Sequence, residues 1–154
     1  MRRSCTEVEW FEDYGVGDEF LGEPVYFSDR EIVDFARRDD PQPFHIDPVA
    51  ASASPFGGLI ASGIHSFAAV FAGMLRAGFL NGRGVGAPGI EIQWLKPVRP
   101  GDTLTMLARV VETRISQSRP DRGFVSFRSS VTNQNGEEVM TLSFQEMILT
   151  GPKG

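Results

Sequence analysis

Two stretches in the first half of the chain carry apolar residues at helical spacing, and four stretches in the second half carry them in near alternation. The first helix is predicted to begin after Ser28, because Ser28-Asp29-Arg30-Glu31 has the form of a capping box. Ile32, Phe35 and Ala36 then form one apolar face, and Arg37 and Arg38 fall at the negative end of the helix dipole. Asp39-Asp40-Pro41-Gln42-Pro43 ends that helix, since each proline removes a donor and restricts the residue before it. A loop rich in Ser, Pro and Gly is expected next, closing on Phe56-Gly57-Gly58. The second helix is expected from about Gly63 to about Gly78, with Ser62 as N-cap and Gly78 as the left-handed C-terminal residue. Ile64, Phe67, Ala68, Phe71, Met74 and Leu75 make it apolar on more than one side, so other elements should wrap it.

Beyond residue 88 the residues that favour strands take over. Gly89–Lys96, Thr103–Ser116, Gly123–Asn133 and Glu138–Thr150 read as strands. Pro100-Gly101 and Asn135-Gly136 mark turns, the second with the composition of a tight hairpin. A short strand, a helix, a buried helix and a long antiparallel meander combine into an α+β fold, a curved sheet around one helix. No repeat, low-complexity tract or linker divides residues 1–154, so a single domain is expected.

Composition narrows the function classes. With 41% hydrophobic and 23% charged residues the chain has ordinary globular character. A net charge of -5 and no basic stripe argue against nucleic acid as a partner. Apolar runs are too short to span a membrane. Nothing near the start resembles a signal peptide, and Cys5, the one cysteine, cannot form an internal disulfide; the cytoplasm is the expected compartment. Two histidines and one distant cysteine give no zinc spacing, so no metal is expected. Gly82-Arg83-Gly84-Val85-Gly86 follows a helix instead of a strand and does not fit a dinucleotide loop.

One segment has the makings of chemistry. Asp40-Pro41-Gln42-Pro43-Phe44-His45 holds a carboxylate and an imidazole on backbone stiffened by two prolines. Such a pair can serve as an acid/base couple near neutrality, or Asp40 can simply cap the loop while His45 packs in a polar crevice. The start of the second helix, Ser62-Gly63, offers free backbone N–H groups at the positive end of a dipole. They could stabilise an enolate oxygen, or Gly63 could serve only tight packing. His65, one turn in, reads as a capping or core-edge residue, and Phe67, Phe71 and Phe79 as core, though one or two could line an apolar tunnel.

Three motifs together carry a family resemblance: His45-Ile46-Asp47-Pro48, Phe56-Gly57-Gly58-Leu59-Ile60-Ala61-Ser62-Gly63, and Leu95-Lys96-Pro97-Val98-Arg99-Pro100-Gly101-Asp102. In this order they resemble MaoC-like acyl dehydratases, relatives of the R-specific enoyl-CoA hydratases. The resemblance runs from about residue 14 to the final strand. It implies a hotdog fold, a dimer with sheets joined edge to edge, and hydration of a trans-2-enoyl thioester, carried by CoA or a carrier protein, without a cofactor. It also implies that Asp40 and His45 are the catalytic pair and that the Gly63 amide receives the thioester oxygen. The chain departs from the pattern at Gln42, where the family has Asn, and at Ser62, where His often stands. Lys96, Arg99, Arg119 and Arg122 are candidates for CoA phosphates or solvated strand ends. A hotdog thioesterase and a noncatalytic acyl-thioester binding subunit are the alternatives.

Overall fold

The computed structural model describes residues 1–153. The meander supplies its frame. Strands β5 (Thr103–Ile115), β6 (Arg122–Thr132) and β7 (Glu138–Leu149) pair antiparallel along nearly their whole length. Each alternates between a buried and a more accessible face, so Leu104, Met106, Ala108 and Val110 of β5 line up with Val125, Phe127 and Val131 of β6 on the inner side. The register of β5 against β6 shifts between Val110 and Glu112, a bulge that bends the sheet.

Short strands extend the meander on both sides. β1 (Arg2–Arg3), β2 (Glu19–Leu21), β3 (Val25–Tyr26) and β4 (Ile90–Trp94) complete an order of β1-β2-β5-β6-β7-β4, with β3 also on β5. β1 and β2 are parallel and the remaining pairs antiparallel. The result is a curved, unclosed sheet with β1 and β4 at its two ends.

Helix α4 (Gly63–Arg76) lies on the inner face. Its buried residues include Ser66, Val70, Gly73 and Met74, of which Val70 and Met74 pack into the same core as Phe20, Phe127 and Leu142. A fully buried side chain such as Phe20 or Met74 is worth roughly 1.5–3 kcal/mol over its exposed state, which is why the helix and sheet curve form together. Ser62 caps the helix as expected, accepting from Ile64 N–H at 3.3 Å, and Gly78 sits at φ 96° just beyond its end. The helix is not wrapped on every side: Ile64 and Leu75 are exposed.

The remaining helices sit over one end of α4. α1 (Asp29–Asp39) starts where expected, with Ser28 Oγ accepting from Glu31 N–H at 3.1 Å, and buries Ile32 and Ala36. The segment expected as a plain loop instead forms two short helices, α2 (Pro43–Ile46) and α3 (Pro48–Ala53). Proline at the first turn costs neither helix a bond, and Asp47 caps α3 by accepting from Val49 N–H at 2.9 Å. His65 is buried between α4 and α1, stacked on Phe35 with ring centroids 4.6 Å apart and tilted to Phe27 at 5.0 Å. Burial holds it below its ordinary imidazole range against the pull of Glu31, so it belongs to the core as a neutral ring.

The β2–β3 link crosses α4 at Gly73, whose carbonyl accepts from Glu23 N–H at 3.1 Å. A β-carbon there would fall 2.7 Å from the Glu23 carbonyl oxygen. Gly73→Ala should therefore lower stability by about 1–3 kcal/mol despite its better helix propensity. Gly89→Ala, which meets nothing within 4 Å, should be near neutral. Urea unfolding midpoints of the two variants check this.

Candidate functional site

The end of α1 and the start of α4 meet, and the site is built across that meeting. Asp40 follows the last turn of α1, its N–H still bonded to Ala36 C=O at 2.9 Å. Ser62, fully buried, donates from Oγ to Asp40 Oδ2 at 2.7 Å. Gln42 stands at the N-cap position of α2 but makes no side-chain cap; its Nε2 donates to Asp40 Oδ1 at 2.7 Å. Both carboxylate oxygens thus accept a neutral donor.

His45, on α2, completes the cluster. Its Nε2 lies 3.3 Å from Asp40 Oδ2, and its Nδ1 lies 2.7 Å from the Ile60 carbonyl oxygen. A carbonyl can only accept, so Nδ1 carries a proton and the reacting face of the ring is Nε2. Ile60 is itself fixed, since its N–H donates to Phe44 C=O at 3.2 Å and the next N–H, of Ala61, to Val98 C=O at 2.8 Å. Phe44 packs edge-on against His45 at 4.5 Å, which holds the ring plane.

Burial pushes the Asp40 carboxyl upward, but the hydrogen bonds from Gln42 and Ser62 and the charge of His45 outweigh it. The net position is below the usual carboxylate range, so Asp40 is ionised at neutrality.

A cavity of about 510 Å³ opens over this pair. Asp40, Gln42, His45 and Gly63 lie along one side; Phe56, Ile60, Ile64, Trp94 and Val98 make much of the rest apolar. Among the described residues no acceptor is bonded to the Gly63 N–H, which stands at the first turn of α4, where the helix dipole is positive. The structure therefore brings together all five residues singled out from sequence: Asp40, Gln42, His45, Ser62 and Gly63.

The four candidate cations fare unevenly. Lys96 lines the cavity and pairs with Glu137. Arg99 donates to Phe56 C=O at 2.6 Å and so braces the loop before the cavity. Arg122 pairs with Asp121 at the other end of β6, about 30 Å along the strand from Val131 at 3.3 Å per residue, and Arg119 lies in the same turn. Those two are remote from the cavity.

Two participants escaped the sequence reading. The Ile60 carbonyl is a backbone group and leaves no sequence signal. Trp94 did leave one: Ile90, Ile92 and Trp94 alternate along one face of β4. Among the described residues no group of three or more His, Cys, Asp or Glu side chains could hold a metal ion, and no helix is long and apolar enough to cross a membrane.

Comparison with known proteins places this arrangement. Residues 15–133 match the family model described as MaoC like domain. The solved structure of a MaoC-like dehydratase from Rhodospirillum rubrum superposes with a TM-score of 0.89 at 37% identity, over 95% of this chain and 100% of that one. A Bacillus subtilis protein, the uncharacterized YdeM, is 30% identical over 129 residues, covering 83% of this chain and 90% of its own. The R-hydratase PhaJ1 from Pseudomonas aeruginosa shares the fold, with a TM-score of 0.74 at 23% identity over 92% of this chain and 86% of that one. The chain belongs to the MaoC-like dehydratase family, with the hotdog fold of that family.

Proposed function

We propose that the protein catalyses reversible hydration of a trans-2-enoyl thioester to a 3-hydroxyacyl thioester. The observation that carries this reading is the Asp40–His45 pair, 3.3 Å apart, on the wall of a largely apolar cavity also lined by Gly63, whose N–H has no bonded acceptor among the described residues. Dehydratases and R-hydratases among proteins of this fold support the reaction class.

The two groups divide the work by their partners. Both ring nitrogens of His45 face acceptors, the Ile60 carbonyl and the Asp40 carboxylate, so an imidazolium satisfies both. In hydration, ionised Asp40 takes a proton from water as the oxygen adds to C3. His45 gives its Nε2 proton to C2. The C2–C3 double bond becomes single, and the product gains one OH and one H, the elements of water. Asp40 then returns its proton to His45 across the short gap between them. While charge resides on the thioester oxygen, the Gly63 N–H holds it; a donor of this kind is worth about 3 kcal/mol in the barrier. The chemistry uses protein groups and water alone.

The assembly follows from the sheet. β4 is an end strand, and Ile90 and Leu95 on or beside it are exposed in the single chain. An open, apolar edge is stabilised by pairing. The proposal includes a homodimer joined edge to edge. Light scattering at micromolar concentration should read twice the chain mass, and a fully active monomer would contradict it.

Turnover on a set of enoyl-CoA esters, followed by loss of the enoyl absorbance, tests the reaction. Asp40→Asn and His45→Ala should each remove most of kcat, and the double variant should cost far less than the product of the two losses, because both act on one water. Near-normal kcat in either single variant would refute its role.

The acid limb tests the hydrogen bonds on Asp40. Activity requires the ionised carboxylate and falls as pH drops through its value. Ser62→Ala removes a donor to the ionised form, so the limb should move to higher pH. A pH profile of kcat/KM with an unmoved acid limb would contradict this.

A further inference from the structure

Trp94 is the last residue of β4, opposite Met140 of β7. Ile92, two residues earlier on the same face, packs against the core, while Trp94 reaches past it to the start of α4. Its Nε1 donates to the Gly63 carbonyl at 3.1 Å. The indole lies so close to Gly63 that a β-carbon there would fall 2.5 Å from Cε2 and 2.6 Å from Nε1. The N–H bond and this close contact along the Nε1–Cζ2 edge hold the ring against Gly63. Yet Trp94 is 52% exposed in the single chain, and it lines the cavity that holds Asp40 and His45. The core does not account for it.

We propose that the Trp94 indole is the wall that determines which acyl groups the site accepts, favouring short chains over long ones. The inference rests on the acyl-thioester reading of the same site. A thioester oxygen bonded to the Gly63 N–H lies about 2.9 Å from that nitrogen, and the indole is in contact with the same residue at roughly 4 Å. The thioester and its first acyl carbons must then pass close beside the ring. The chain beyond C3 must continue between the indole and the apolar side chains of Phe56, Ile60 and Ile64. Those three neighbours are apolar and suit a hydrocarbon chain. The ring, tied to Gly63 by its N–H, cannot swing aside as a free side chain would. Its bulk thus limits length instead of adapting to it.

The test compares wild type, Trp94→Ala and Trp94→Phe on crotonyl-CoA, trans-2-octenoyl-CoA and trans-2-dodecenoyl-CoA. Calorimetric binding of butyryl-CoA and dodecanoyl-CoA, which cannot be hydrated, runs beside it. Trp94→Ala should raise kcat/KM for the dodecenoyl ester relative to the crotonyl ester by about tenfold or more, the scale on which apolar pockets discriminate size. The binding ratio of the two saturated esters should move the same way. Trp94→Phe keeps a smaller ring without the N–H tether, so its ranking should lie between those of wild type and Trp94→Ala. Trp94→Leu, smaller but apolar, takes the place of the alanine variant should that fail to fold. A common factor across all esters, with the ranking unchanged, would overturn the proposal. If wild type hydrates no enoyl ester, the hydration reading fails, and the binding ratio alone decides Trp94: a shifted ratio sustains its role, and an unshifted ratio or no binding refutes it.

Discussion

The Ser62 hydroxyl is the atom on which the arrangement turns. It accepts from the Ile64 N–H at the start of α4 and donates to Asp40 Oδ2 at the end of α1. A hydroxyl has one donor and two acceptor positions, so it can serve both without conflict. It is buried, and its loss would leave a helix N-terminus uncapped and a carboxylate short of a donor together. The stacking of Phe35 on His65 brings the same two helices together a turn away, so packing and hydrogen bonding specify one juxtaposition.

That juxtaposition explains why an ionised carboxylate is tolerated at the wall of an apolar cavity. Asp40 has hydrogen-bond donors on both oxygens and lies at the positive end of α4. Its folded-state value is depressed, so its contribution to stability is present above the ordinary carboxylate value of about 3.9 and is lost as pH falls through the lower folded value. The same donors that stabilise the fold prepare the group for accepting a proton from a neighbouring water.

Much of this was legible in the sequence, and the gaps have physical causes. β5, β6 and β7 lie within a residue of the expected bounds, because long alternating runs of β-branched and aromatic residues have few other outcomes. α2 and α3 were missed: at 4 and 6 residues they are too short for propensity to signal, and proline starts and the Asp47 cap hold them. The short strands β2 and β3 are held by β5, a partner far along the chain, and β1 pairs in turn with β2. Asp40, His45 and Gly63 were visible as types and spacings, and Gln42 and Ser62 as departures from the family pattern. What the sequence lacked was direction: that Gln42 turns from its own helix to Asp40, that a backbone carbonyl fixes the tautomer of His45, and that Trp94 reaches over Gly63.

The central claim is that water adds at C3 and leaves the thioester intact. Turnover of crotonyl-CoA in heavy-oxygen water, with products resolved by mass spectrometry, reads this directly. The account predicts one heavy oxygen in the 3-hydroxyacyl chain of an intact CoA ester, with incorporation abolished in Asp40→Asn. Heavy oxygen in a released carboxylic acid, with free CoA and no label at C3, would contradict it.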